Sequence, residues 1–240
     1  MTTGQPLSVA SIAAGAEAVG VALSDLQAEA LLQYAALLLK WNKVYNLTSL
    51  RDPREVLTLH LIDSLSGVAA LRRAIAGREP SGPTGYFSVM DVGSGGGLPG
   101  VVLAVVCPEL HVTCVDTVAK KAAFIQQVAA QLPRAALAGR LVAKHARVES
   151  VQATFDVITS RAFASLSDFA LWSRQALGEG GLWMAMKGVK PEAEIAALPP
   201  WVEAFHVEHL SVEGLGAQRC IVWMRDRGPQ VDLPVTNEIA

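Results

Sequence analysis

An acid, glycines at every second position and a proline in a helix start supply the first chemistry in this sequence: Asp91-Val92-Gly93-Ser94-Gly95-Gly96-Gly97-Leu98-Pro99-Gly100. Val89 and Met90 ahead of it read as the end of a buried strand, and the apolar run from Leu98 as the start of a helix. Glycine is required where backbone passes close to a ligand at positive φ, a conformation that a Cβ resists. In an open α/β sheet the crevice at the carboxyl ends of the strands is where ligands bind. Five glycines between residues 93 and 100 make a mere connection a poor explanation.

Two nucleotide cofactors compete for such a turn. Gly95 to Gly100 matches G-x-G-x-x-G, and Asp116 follows at about the distance of a ribose-binding acid, but that pattern alone is a weak signal for NAD. Three features favour S-adenosylmethionine: the acid Asp91 at the strand end, the alternation Gly93, Gly95, Gly97, and Pro99 in the opening helical turn. A carboxylate at Asp91 suits the methionine ammonium, or the water around it, and repels a pyrophosphate. Asp116 can accept from both hydroxyls of a ribose. Its alternative role is to cap the helix from Val118, which Thr117 could fill equally well.

The elements that must position these groups alternate after a Pro- and Gly-dense boundary, Gly77 to Gly85. Strands are predicted at Tyr86–Val92, Leu110–Val115, Leu141–Ala143, Phe155–Thr159 and Gly181–Met186. Helices are predicted at Leu98–Cys107, Val118–Leu132 and Leu166–Leu177. Such alternation implies a parallel sheet with helices on both faces, and two late strands, Phe205–Leu210 and Cys220–Arg225, pair antiparallel at its edge. Residues 1–85 read as a helical N-terminal region. There Leu31, Leu32, Tyr34, Ala35, Leu38, Leu39 and Trp41 form a helix-period face that needs a partner. Asp52-Pro53 starts a further helix. The fold class is therefore α/β, Rossmann-like, with a helical N-terminal subdomain. Residues 86–228 form the cofactor domain and 229–240 a disordered tail.

With 240 residues, 51% of them hydrophobic, the chain can bury one sizeable core without staples. Cys107, Cys114 and Cys220 give an odd count with no CxxC spacing, so reduced thiols, a cytoplasmic setting and no metal site are expected. No leader or membrane span is expected, and a monomer is the favoured state. A net charge of -2 argues against a protein that coats nucleic acid generally, so any RNA contact must come from a few clustered cations.

Several segments in series resemble the small-subunit (16S) ribosomal RNA guanine-N7 methyltransferase family, long named glucose-inhibited division protein B. They are Lys40 to Ser49, His60-Leu61-Ile62-Asp63-Ser64, the Asp91 to Gly100 turn, Ser160-Arg161-Ala162-Phe163-Ala164 and Lys187-Gly188. The resemblance implies methyl transfer to N7 of a guanine in the decoding region of 16S ribosomal RNA, free or within the small ribosomal subunit. It also implies that Gly93 and Leu98 touch the cofactor, that Val148 and Glu149 flank its adenine, and that Arg161 sits at the site mouth. With Asp91, Gly95 and Asp116 these make the expected cofactor set. Lys40, Lys43, Arg51, Arg54, Arg161 and Lys187 make the expected RNA set. A small-molecule methyltransferase with a helical lid and an NAD-binding oxidoreductase are the alternatives.

Guanine N7 carries a free lone pair, so it can attack a sulfonium methyl without first losing a proton. No general base is then required, and catalysis is in-line positioning with electrostatics. The sequence has neither the Asn-Pro-Pro-aromatic signature of amino-group methylation nor a Pro-Cys pair for covalent attack on a pyrimidine. No catalytic residue is assigned; Arg161 and Lys187, each ending a strand, are the positioning candidates. For Arg161 an ion pair with Asp156 or Glu149 is the competing role, for Lys187 a solvated surface position. Trp41 and Tyr45 read as packing. His60 and Asp63 share a helix face as a buried pair that joins the two parts of the chain.

Overall fold

The computed structural model describes residues 6–212 and 218–228. The tail expected at 229–240 lies outside them. Local signals explain most helix ends. Ser8 and Ser24 form capping boxes before α1 (Val9–Ala18) and α2 (Asp25–Tyr45), and α2 stops at Asn46, which takes the left-handed conformation. Asp52 caps α3 (Pro53–Glu55), with proline at its first position. The chain then runs through a π-helical stretch, Val56–Ile62, into α4 (Asp63–Leu65) and α5 (Val68–Ile75).

From there strands and helices alternate: β1 (Phe87–Val92), α6 (Gly100–Val106), β2 (Leu110–Asp116), α7 (Ala119–Gln131), α8 (Arg134–Leu137), β3 (Leu141–His145), β4 (Phe155–Arg161), α9 (Leu166–Ser173), β5 (Leu177–Lys187), α10 (Glu192–Ala196), β6 (Val202–Leu210) and β7 (Arg219–Asp226). They form one seven-stranded sheet in the order β3-β2-β1-β4-β5-β7-β6. β1 to β5 pair in parallel, and β7 pairs antiparallel with both β5 and β6. The strand order reverses beside β1, between β1 and β4, which places the switch-point crevice at the end of β1.

Boundaries moved where local chemistry competes with pattern. The helix predicted to Leu177 ends at Ser173, and β5 starts at Leu177; Gly178, Gly180 and Gly181 disguise the strand start as a turn. Leu98 and Pro99 belong to the glycine turn, so α6 begins only at Gly100. The short helices α8 and α10 were not anticipated.

The N-terminal helices close no core of their own. One apolar cluster runs from Ile12, Leu31 and Leu38 through Leu61 and Leu71 to α6 and the sheet residues Val89, Val112, Val157 and Met184. A second covers the other face, where Met90, Ile158 and Trp183 meet Val148, Val151 and Phe169. The Pro/Gly boundary is pinned to the sheet, because Asp156 accepts hydrogen bonds from the Ser81 and Ser88 backbone N–H groups, at 2.9 and 2.7 Å. The described residues of this region, 6–85, pack onto the same apolar core as the sheet.

Candidate functional site

The glycine turn is held from three sides. Gly93 and Ser94 donate to the Val115 carbonyl at the end of β2, at 2.9 and 3.2 Å. Gly95 donates to Asp116 Oδ2 at 2.9 Å, and Gly100 to Asp91 Oδ2 at 2.9 Å. From α2, the buried Tyr34 hydroxyl donates to the Gly96 carbonyl at 2.6 Å, while Leu38 lies 3.0 Å from where a Gly96 Cβ would sit. Gly93 has φ +66°, and the Phe163 ring occupies the space its Cβ would need. At Gly100 a Cβ would meet Cys114 Sγ and Asp91.

Asp91 does not face the crevice. It is fully buried beneath Gly100, lines neither of the two cavities described below, and leaves Oδ1 without a partner among the described residues. The alternation of β1 turns the side chain toward the α6 face, so its carboxylate holds the turn from behind. Burial pushes its pKa up to about 7; the Gly100 N–H and the Arg161 charge pull it down, and Asp116 adds to the rise. Asp116 is held at both oxygens by backbone N–H groups. Oδ1 accepts from Val118 N at 2.8 Å at the start of α7, Oδ2 accepts from the turn, and the residue lines the second cavity.

Two cavities open beside the turn. The first, of ≈ 530 Å³, is lined by Leu47 to Leu50, by Gly93, Gly95 and Leu98, and by Arg161, Lys187 and Arg219. The second, of ≈ 320 Å³, is lined by Asp116, Val148, Glu149, Phe163 and Trp172. Gly93 and Ala162 line both, so one elongated ligand can run from one to the other over Gly93.

The side chains facing the first cavity are already engaged. Arg161 Nη1 donates to Asp63 Oδ2 at 2.7 Å and to the Leu59 carbonyl at 2.9 Å. Neither Asp156 nor Glu149 is its partner: Asp156 is taken up by Ser81 and Ser88, and Glu149 lies 3.7 Å from Arg147. Asp63 also accepts from Arg219 Nε, at 2.6 Å. His60 does not bond Asp63. Its Nε2 lies 2.8 Å from Thr48 Oγ1 and its Nδ1 lies 3.2 Å from Arg161 Nη2. Burial, then the Arg161 charge, lower its pKa to about 4, against the Leu59 carbonyl and Asp63. The ring is therefore neutral near pH 7, with Nδ1 between the Arg161 guanidinium and the Leu59 carbonyl, the latter at 3.1 Å. Lys187 Nζ is held by Glu194, at 2.9 Å, and by the Ala164 carbonyl, at 2.9 Å, and is not a solvated surface lysine.

Lys40, Lys43, Arg51 and Arg54 are exposed and line neither cavity. They flank the loop after α2, whose residues 47–50 form a wall of the first cavity. Asn42 fixes that wall: its Nδ2 donates to the Leu50 carbonyl at 2.8 Å and its Oδ1 accepts from Thr48 N at 2.9 Å. Trp41 packs on Tyr45 and Phe124, with ring centroids 5.0 and 5.5 Å apart. Sequence reasoning did not single out Tyr34, Asn42 or Arg219 for the site. Asn42 sits within the segment Lys40 to Ser49 and was the one legible in principle. Among the described residues no group of metal-ligating side chains forms, and no helix is long and apolar enough to cross a membrane.

A switch-point crevice, a glycine turn and a carboxylate ending β2 define a Rossmann-like class I methyltransferase. A solved S-adenosylmethionine-dependent methyltransferase from Leishmania major shares this fold with a TM-score of 0.50 at 13% identity, over 80% of this chain and 83% of that one. The pattern of the family described as rRNA small subunit methyltransferase G matches residues 27–222. The ribosomal RNA small subunit methyltransferase G of Paracidovorax citrulli is 54% identical over 95% of this chain and 93% of its own length. That of Acidovorax ebreus is 58% identical over 88% and 92%. The chain belongs to the rRNA small subunit methyltransferase G family. The cofactor is S-adenosylmethionine, and the residues present fit it: two joined cavities meet over a glycine that leaves no room for a Cβ, with a carboxylate and apolar walls at one end.

Proposed function

We propose that this chain transfers a methyl group from S-adenosylmethionine to N7 of a guanine in the decoding region of 16S ribosomal RNA. The observation that carries the choice of nucleophile is that His60, Asp63 and Lys187, which face the first cavity, are committed, while burial pushes the Cys220 thiol there above its ordinary range. His60 lies between Thr48 and Arg161, Asp63 between two arginines, and Lys187 against Glu194. A site that must strip a proton from its substrate needs a base within reach. Guanine N7 needs none.

In this reading Asp116, Val148 and Glu149 hold the adenosine half in the second cavity, and Gly93, Gly95 and Leu98 pass the remainder over the turn. Arg161 faces the junction. When bound, the cofactor supplies an electrophilic methyl on sulfonium. The protein's part is to place the base in line and keep water away, which can account for much of a rate enhancement without proton transfer. The exposed Lys40, Lys43, Arg51 and Arg54 beside the 47–50 wall supply phosphate contacts for an RNA too large to enter the cavity.

Deleting the gene tests this directly: 7-methylguanosine disappears from digested small-subunit ribosomal RNA read by mass spectrometry, and its full persistence refutes the assignment. Calorimetry with S-adenosylmethionine and NAD separately tests the cofactor; tight NAD binding with none for S-adenosylmethionine would refute it.

A further inference from the structure

We propose that Asp63 is a positioning residue that sets Arg161 and Arg219 side by side as a paired cradle for a backbone phosphate of the substrate RNA. The proposal rests on the RNA reading above. Asp63 sits at the start of α4, 5% exposed, and each of its oxygens takes a different arginine, from the end of β4 and the start of β7. Two guanidiniums on neighbouring walls repel each other, and a single buried carboxylate between them removes that cost. What remains is one net positive charge on the wall of the first cavity, because Lys187 is neutralised by Glu194.

The donor inventory points to what the cradle takes. Each guanidinium has five N–H groups. Arg161 spends Nη1 on Asp63 and Leu59 and sets Nη2 3.2 Å from His60 Nδ1; Arg219 spends Nε on Asp63 and half of Nη1 on the Gln218 carbonyl. Among the described residues the other N–H groups have no acceptor, although the side chains are only 17% and 21% exposed and both line the cavity. These donors face the cavity and its solvent, where an oxygen-rich anion can take them, and phosphate matches the guanidinium fork.

The test exploits a difference in sign. If charge alone matters, Asp63→Asn makes the wall more positive, so RNA binds more tightly with a steeper salt dependence. If Asp63 positions the pair, RNA binds more weakly and the dependence flattens. A fluorescent single-stranded RNA carrying the target loop is titrated with the full chain across a KCl series, alongside methyl-transfer kinetics and cofactor calorimetry. For Asp63→Asn, loss of the one phosphate contact flattens the slope of log K against log salt by about 0.7. KM for RNA then rises about tenfold, and the loss of RNA affinity exceeds any loss of affinity for the cofactor, which Arg161 also borders; a larger loss for the cofactor than for RNA overturns the phosphate assignment. Arg219→Lys keeps the charge, gives up the fork, and weakens RNA binding in the same direction. Unchanged or tighter binding by folded Asp63→Asn overturns the proposal. Should that variant not fold, unchanged affinity and slope in Arg219→Lys overturn it. If wild type binds the RNA in this Asp63-dependent way but transfers no methyl group, the functional reading falls and the cradle stands.

Discussion

Gly93→Ala is the sharpest perturbation of the site, because two costs at that position can be separated. The first is conformational: at φ +66° an alanine is held in the left-handed region, at about 1–2 kcal/mol. The second is steric. The new Cβ occupies the place of the Phe163 ring, which packs edge-on against Phe169 and Trp172 with centroids 6.4 and 5.8 Å apart. Displacing the ring weakens without abolishing two aromatic pairs worth about 0.5–1.5 kcal/mol each, a loss of about 1–2 kcal/mol and a total near 2–4 kcal/mol. Gly20 provides the control, since it has φ +76° and nothing within 4 Å of a built Cβ, so Gly20→Ala bears only the first cost. Urea denaturation of both variants should therefore differ by about 1–2 kcal/mol at equal m-value. Because Gly93 and Phe163 wall the passage between the cavities, cofactor affinity by calorimetry should fall by about 100-fold in Gly93→Ala, near 2.7 kcal/mol, and stay at the wild-type value in Gly20→Ala. The reasoning is refuted if the two variants lose the same stability, or if Gly93→Ala binds the cofactor within about threefold of wild type.

Other consequences follow from the same contacts. Tyr34→Phe leaves the buried Gly96 carbonyl without its donor, so stability should fall by about 1–3 kcal/mol and cofactor affinity should weaken, both read by denaturation and calorimetry. Asp91 has a folded pKa raised to about 7, so its share of stability is present below the unfolded value near 4 and is lost as pH rises through 7, about 2 kcal/mol between pH 5 and 7. Asp91→Asn keeps the acceptor for Gly100 and removes this loss, so its stability relative to wild type should be greater at pH 7 than at pH 5. His60 has the opposite sign: its folded pKa is lowered to about 4, so its share is present above the unfolded value near 6.5 and lost as pH falls, about 2 kcal/mol from pH 7 to 5. His60→Gln should therefore become more stable at pH 5 than at pH 7, whereas wild type, with both groups, shows the two slopes largely offsetting; equal pH profiles for wild type and both variants contradict the two assignments.

What the sequence made legible was what depends on short-range spacing. The alternation of apolar runs gave a parallel sheet, and the glycines from Gly93 to Gly100 located its crevice, because both are local properties of the backbone. The residue types were informative where one side chain has one job, as with Asp52 before Pro53. The orientation of Asp91 was not legible, for a physical reason. A carboxylate at a strand end can face the ligand or the helix behind it, and which it does depends on pleat and on a Gly100 that leaves room for it. Spacing does not encode that choice.

The arginine pair shows the same limit more strongly, and shows what the N-terminal helices are for. His60 and Asp63 read as partners because they are three residues apart on one helix, but the stretch that carries His60 is π-helical, and each side chain turns to a different neighbour. Their partners, Thr48, Arg161 and Arg219, come from a loop and two strands spread over the chain, so only the closed fold could reveal the grouping. A helical layer that merely covered the sheet would need apolar residues alone, as α1 largely has. This one places Tyr34 against the turn, Asn42 behind the 47–50 wall, and Asp63 between two strand-end arginines. Those buried polar contacts are costly unless fully paired, which ties the geometry of the methyl-transfer crevice to the docking of the helices. Changes in the helical layer that touch no ligand should therefore alter cofactor or RNA binding before they unfold the sheet.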